Sequence, residues 1–224
     1  PALAALQQMG CPRERLTSLP FFVPLPSVTR DFASPPSPLV FASSGRLWNE
    51  MKGHDLALAA LAQAREATRR EDFEYVIAGV GPDERNLRER AATLELTDHV
   101  RFAGFMQPSD LARLLSRAHV LLHPSRWDPY PVAVLEGMAA GLVVLGSDAS
   151  GSVQDRIHDG ENGFVHHAGD DIALAAHIAE LLRNRARLGP MSAAARRTAE
   201  EWPVSRGVAI VKDALGAIRN TRAA

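Results

Sequence analysis

Arg46 and Lys52, Asp128 and Glu136 are the side chains whose types and spacing suggest chemistry. The two cations stand in Ser43-Ser44-Gly45-Arg46-Leu47-Trp48-Asn49-Glu50-Met51-Lys52-Gly53-His54-Asp55, between an apolar run of strand length and a helical pattern. Gly45 lets the chain turn, and both cations then lie at a strand end where an anion could bind. Solvated cations beside a loop are the other reading. Asp128 and Glu136 stand eight positions apart within the segment from Pro124 to Gly141. From Val132 to Ala140 the helical pattern is apolar on every side except at Glu136, so that carboxylate is expected to be buried with its helix. A lone buried carboxylate is costly unless it finds donors, which a partner Arg or the hydroxyls of a ligand could supply. Asp128 falls in the turn before the helix, and Glu136 just over one turn inside it. Between them the helix start offers free amides and a positive dipole end, suited to phosphate or diphosphate. Carboxylates for sugar hydroxyls beside amides for phosphate describe a sugar-nucleotide site; Asp128 as a plain turn residue is the alternative.

A third loop, Gly146-Ser147-Asp148-Ala149-Ser150-Gly151, follows another apolar run, and Ser147 and Asp148 could either cap a helix or face a ligand. Asn162-Gly163 reads as a structural turn. Other chemistries fail on spacing. Gly79-Val80-Gly81 follows a strand, but a dinucleotide fingerprint needs glycine at the position of Glu84. The chain has no Gly-Lys-Ser/Thr phosphate loop, no Gly-x-Ser-x-Gly elbow, no His-Glu-x-x-His and no Asp-x-Asp pair. His119 and His123 would lie about 13 Å apart on a strand, too far for one metal, and the adjacent His166 and His167 would point to opposite faces. Neither a metal nor a cofactor is expected. Cys11 is the only cysteine, so no internal disulfide forms and a reducing cytoplasm is the default compartment.

These residues need a scaffold, and the order of the elements supplies one. Strand-length apolar runs at Leu39 to Ser43, Phe73 to Ala78, Val100 to Ala103, Val120 to His123, Leu142 to Gly146 and Gly163 to His166 alternate with helical segments. The helices fall at His54 to Arg69, Asp83 to Leu94, Ser109 to Ala118 and Val132 to Ala140. Continuously apolar strands, each followed by a helix, predict an α/β fold with a doubly wound, Rossmann-like parallel sheet covered on both faces. Asp170 to Asn220 reads as further helices broken at Gly189-Pro190 and Trp202-Pro203. Before the sheet lie a helix over Ala2 to Met9, closed by Gly10, and a strand around Leu16 to Leu19; five prolines within Pro24 to Pro38 mark a linker. The chain has 25 Lys+Arg against 26 Asp+Glu, so no global field collects nucleic acid or an anionic membrane, and any anion site must be local. The longest apolar stretch, Val132 to Ser147, is about 16 residues, short of the roughly 20 that a bilayer requires. The opening Pro1-Ala2-Leu3 shows no secretion signal.

Taken in order, these segments resemble the C-terminal half of the retaining glycosyltransferases of GT-B fold that include sucrose synthases and bacterial lipid and polysaccharide mannosyltransferases. The likeness runs from about Leu39 to Trp202. It implies that Arg46 and Lys52, in the Gly-Arg-Leu to Lys-Gly segment, bind the donor diphosphate. Asp128 and Glu136 match the family's pair of glutamates separated by seven residues, Asp128 holding sugar hydroxyls and Glu136 the nucleotide ribose. Gly45, Tyr130, Pro131 and Val132 would lie near the phosphates, and Phe105 and Met106 at the base-binding edge. Asp128 departs from the family's Glu by one methylene, and Ser152 stands where a second glycine is common. The resemblance implies metal-independent transfer from a nucleoside diphosphate sugar, UDP- or GDP-linked, with retention, Arg46 and Lys52 stabilising the leaving diphosphate. The acceptor is a glycan, a lipid-linked or a small molecule, and the setting is cytoplasmic, including the inner face of the membrane.

The same likeness divides the chain. Residues 1–22 match the end of an N-terminal, acceptor-binding domain, 23–38 the interdomain linker, 39–203 the donor-binding domain, and 204–224 a helix that crosses back to the missing half. Alone, the chain is expected to bind nucleotide weakly and transfer little sugar. A sugar-nucleotide 2-epimerase and a nucleotide-sugar binding module without catalysis are the competing readings.

Overall fold

A computed structural model describes residues 2–19, 21–23 and 37–222. Residues 24–36, most of the Pro-rich segment read as a linker, lie outside the described residues. In chain order the elements are α1 (Ala2–Gln8), β1 (Leu39–Ser44), α2 (Asn49–Lys52), α3 (His54–Thr68), β2 (Phe73–Ala78), α4 (Glu84–Thr93), β3 (Val100–Gly104), α5 (Pro108–Arg117), β4 (Val120–His123), α6 (Val132–Ala139), β5 (Val143–Ser147), α7 (Gly151–Arg156), β6 (Gly163–His166), α8 (Asp171–Arg183), α9 (Leu188–Glu200) and α10 (Val204–Arg222). Short 3-10 turns occupy Arg13–Arg15 and Arg185–Arg187.

The strands form one parallel six-stranded sheet in the order β3-β2-β1-β4-β5-β6, the doubly wound arrangement expected from the sequence. Every residue of β4 and β5 is buried, as strands covered on both faces require, whereas the edge strand β3 exposes Arg101. One core carries the sheet residues Phe41, Tyr75, Leu122 and Leu145 against α3, α4 and α8. The other packs Ala42, Val76, Leu121 and Val144 against α5, α6 and α7. Helix α3 illustrates how the pattern works: Ala57, Leu58, Ala60, Leu61 and Ala64 recur at helical spacing, and all are buried. Each fully buried leucine of that stripe contributes about 1.5–3 kcal/mol relative to exposure.

Two expectations need correction. The strand around Leu16 to Leu19 is not formed: Leu16 has extended backbone, but the segment finds no ladder partner among the described residues. Of the two breaks expected in the C-terminal helices, Trp202-Pro203 does separate α9 from α10, but the other falls at Asn184 and the turn after it, not at Gly189-Pro190, which lies in the first turn of α9. Proline is tolerated there because the first amides of a helix have no intrahelical acceptor to lose. Helices α2 and α7 were not read from the sequence, being only four and six residues long.

The chain divides into two compact units, one comprising Leu25–Glu201 and the other Pro1–Pro24 with Trp202–Ala224. Within the second, the Phe22 and Trp202 rings meet at a tilt with their centres 6.3 Å apart, the Arg206 guanidinium lies 3.9 Å from the Trp202 ring centre, and Gly207 leaves room for the Phe22 ring. Val204, Val208 and Val211 of α10 remain exposed and line, with Leu19 and Phe21, a groove of about 510 Å³. No helix among the described residues is long and apolar enough to cross a membrane.

Candidate functional site

In an open parallel sheet the connections leave in opposite directions at the point where the strand order reverses, and the crevice there receives ligands. Here that point lies between β1 and β4. The loop 45–48 follows β1, and the loop 124–131 follows β4. Close backbone contacts fix the first loop. Gly45 N–H donates to Ala78 O and Leu47 N–H to Val80 O. A Cβ at Gly79 would stand 1.8 Å from Gly45 O, and one at Gly81 2.3 Å from Leu47 O. The Gly-x-Gly pair after β2 thus exists to let two loops touch. The second loop docks on α2: Arg126 N–H donates to Met51 O at 2.8 Å, and Gly53, in the left-handed region, leaves no space for a side chain beside Pro124 O.

Arg126 ties that docking down. Its guanidinium donates to both Asp55 oxygens at 2.8 Å and to Asn49 O at 2.6 Å. Burial pushes the Asp55 carboxyl up, but the bonds from Arg126 outweigh it and hold the group below the usual carboxylate range. This pair escaped the sequence reading, because no periodicity links residues 71 positions apart.

The docking brings Lys52 and Asp128 into direct contact. Lys52 Nζ donates to Asp128 Oδ2 at 2.5 Å, and His123 Nε2 lies 3.5 Å from the same oxygen. Asp128 is buried at 6% exposure, so it is more than a solvated turn residue. Burial alone would raise its carboxyl, yet His123 and Lys52 together hold it below the ordinary value. Ser125 Oγ is 3.0 Å from His123 Nε2. Serine and aspartate therefore meet the same ring nitrogen, which is not the arrangement of a Ser-His-Asp nucleophile. His119, at the other end of β4, accepts the Val40 amide at its Nδ1, so the two histidines serve separate places. Sequence reading weighed His123 only as a metal ligand; its position as the last residue of β4 is the signal that could have marked it.

Glu136 departs from expectation in burial. It is half-buried rather than buried, since Val132, Ala133 and Glu136 form an accessible stripe on α6 at helical spacing. Its carboxylate has no hydrogen bond or ion pair with any described residue, and burial raises its carboxyl above the usual range. The Arg partner weighed from the sequence is absent among the described residues. At the start of α6, Pro131 provides no side-chain cap, so the first amides are free of one. Ser152 Oγ donates to Pro131 O at 2.9 Å, and Gly151 admits the Pro129 carbonyl so closely that a Cβ would stand 2.1 Å from it. Tyr130 is half-exposed above Arg156, whose Nη2 lies 3.5 Å from the phenol oxygen.

Arg46 is exposed, with its guanidinium 5.4 Å from the Trp48 ring centre. It lines, with Gly45, Val80, Phe105, Met106 and Leu111, a pocket of about 420 Å³ whose walls are mostly apolar. The structure thus places the sequence-derived residues in three groups, all after the carboxyl ends of the strands: Gly45, Arg46, Phe105 and Met106 around the pocket, Lys52 with Asp128, and Tyr130, Pro131, Val132 and Glu136 at α6. The third loop serves differently. Ser147 Oγ donates to Ser125 O, Asp148 pairs with His167 and accepts the Ala168 amide at 3.0 Å, and the N-cap of α7 is Ser150. Neither Ser147 nor Asp148 caps that helix.

The doubly wound, Rossmann-like parallel sheet is that of the C-terminal half of a GT-B fold. The chain belongs to the family described as glycosyl transferases group 1, whose match covers residues 28–202. A Salmonella typhimurium protein assigned as the colanic acid biosynthesis glycosyltransferase WcaL is 33% identical over 185 residues, 80% of this chain and 45% of that protein. The amylovoran biosynthesis glycosyltransferase AmsK of Erwinia amylovora is 32% identical over 209 residues, 86% of this chain and 48% of its own length. The chain thus spans about half the length of the curated relatives it matches. Among solved structures, the lipopolysaccharide outer core galactosyltransferase WaaB shares the fold at TM-score 0.81 and 18% identity, over 96% of this chain and 59% of that one. Anabaena HepE in complex with UDP superposes at TM-score 0.72 and 22% identity, over 80% of this chain and 49% of its own.

Proposed function

We propose that this chain is the donor-binding half of a retaining glycosyltransferase that moves a sugar from a nucleoside diphosphate sugar to a glycan, a lipid-linked or a small acceptor. The observation that carries the reading is Glu136: a half-buried carboxylate, raised by burial and left without a donor, one turn inside a helix whose first amides lack a side-chain cap. A ribose supplies the hydroxyl donors the carboxylate lacks, and a diphosphate supplies the anion that the amides and Arg46 attract. The pocket beside Phe105 and Met106 then takes the base. Arg46 and Lys52 stabilise charge developing on the leaving diphosphate, so no metal is required. The UDP bound to HepE supports the choice of nucleotide class.

In the same reading, residues 1–22 and 204–224 belong with an N-terminal acceptor-binding domain joined through 23–38, and 39–203 is the donor domain. The exposed valines of α10 support a partner for that helix. The chain alone then binds nucleotide and transfers little sugar. The setting is cytoplasmic, extending to the inner membrane face when the acceptor is lipid-linked.

One observation favours a second reading, a binding module without catalysis: Asp128 is shorter than the family's Glu and is gripped by Lys52. Sugar transfer by the longer protein, measured for Asp128→Glu beside the parent, separates the two; activity gained only in the variant supports the module. The ribose assignment is tested by titrating UDP and inorganic pyrophosphate. Glu136→Ala should weaken UDP about tenfold or more, the loss of hydrogen bonds to a charged group, and leave pyrophosphate nearly unchanged. Equal losses for both ligands would contradict a ribose contact.

A further inference from the structure

We infer that His123 is a positioning residue of this site: its Nε2 holds the Asp128 oxygen that grips Lys52, and so keeps the Lys52 ammonium at the crevice. The inference rests on the reading above, in which Lys52 faces the diphosphate. Its basis is a convergence of donors on one atom. Asp128 Oδ2 receives Lys52 Nζ at 2.5 Å and stands 3.5 Å from His123 Nε2, and the His123 and Asp128 side chains are 7% and 8% exposed.

To hold Asp128, the imidazole must carry its proton on Nε2. With the proton on Nε2, the ring donates toward Asp128 Oδ2 while Ser125 Oγ, 3.0 Å away, accepts the other share. Burial lowers the affinity of His123 for a second proton, opposed by Asp128 and aided by Lys52, so the ring is neutral near neutral pH. The charged and titratable groups around it are Lys52 from α2, His54 from α3, and Asp128 from the loop after β4. His54 is itself pushed down to about 4 by burial and remains neutral in the same range.

Protonation of His123 would place a second cation on an oxygen already bound to an ammonium. The ring is enclosed, whereas Lys52 has a flexible stem and 25% exposure, so Lys52 is the group that leaves. Neutral His123 thus keeps Lys52 in place, and acid releases it.

The chain contains just two lysines, Lys52 and Lys212, so lysine isotopically labelled at Cε gives one signal for the site and one internal reference. As pH falls below the ordinary imidazole range, the Lys52 signal should pass through an inflection that Lys212 does not share. His123→Gln, which keeps a neutral donor, should abolish the inflection and bind UDP within about threefold of the parent, whereas His123→Leu should shift the Lys52 signal and bind about tenfold more weakly. A Lys52 titration unchanged in His123→Gln, or UDP binding as weak in that variant as in His123→Leu, overturns the inference. If the parent still binds UDP and Arg46→Ala loses it, the functional reading survives that result. If the parent binds no nucleotide, the functional reading falls, and the lysine titration still decides whether His123 governs Lys52.

Discussion

At Glu136 the fold holds a carboxylate that it does not itself use. Its carboxyl is raised in the folded chain, so the neutral form is favoured there; that contribution is present below the unfolded value and lost as pH rises through the folded value. Glu136→Gln, neutral throughout, should therefore unfold at a higher temperature than the parent at pH above neutrality and match it in acid. Thermal melts at both ends check this, and a variant less stable at high pH would mean that the carboxylate has a donor in the free protein. Stability gained by removing a group, at the expense of UDP affinity, is the behaviour of a residue kept for a ligand. The sequence pointed to Glu136 because it interrupts an apolar helix, and overstated its burial for the same reason. Apolar composition does not require enclosure, and one stripe of α6 is accessible. The contact between Lys52 and Asp128 could not be read at all, since each was assigned to a ligand and their approach depends on how two loops dock.

Those loops are positioned by elements that the sequence rendered unevenly. Strands β1 to β6 and helices α3 to α6 were legible because continuous apolar runs and 3.6-residue spacing report burial locally. The bolt between Arg126 and Asp55 was not, because it joins residues brought together only by the β1–β4 pairing. Arg126→Ala should destabilise the chain by about 1–3 kcal/mol, the range for charge-assisted hydrogen bonds, and a double-mutant cycle with Asp55→Asn should show coupling. Because the Asp55 carboxyl is held low, the pair's stabilisation is present above the unfolded value and lost as pH falls through the folded one. The difference between parent and Asp55→Asn in denaturant should accordingly shrink below about pH 4. Gly53→Ala meets both a left-handed backbone and the Pro124 carbonyl, so it should cost more than the ~1 kcal/mol of an unhindered site, and it should also weaken UDP binding by displacing Lys52.

On the scale of the whole chain, near-neutral charge is compatible with the local anion site proposed above, because Arg46, Lys52 and the start of α6 all lie at the carboxyl ends of the strands. The sequence conveyed this concentration through the order of its motifs, whereas no side chain in it signalled which base or acceptor is used. The chain covers about half of its relatives, and it should bind a nucleoside diphosphate without turning over a donor sugar. Calorimetric titration of the chain with UDP, GDP and ADP, repeated on Arg46→Ala and Glu136→Ala, tests the central claim most directly. The account expects saturable binding of at least one of the three by the parent, weakened in both variants by about tenfold or more. No binding by the parent, or binding of equal strength in both variants, would contradict it.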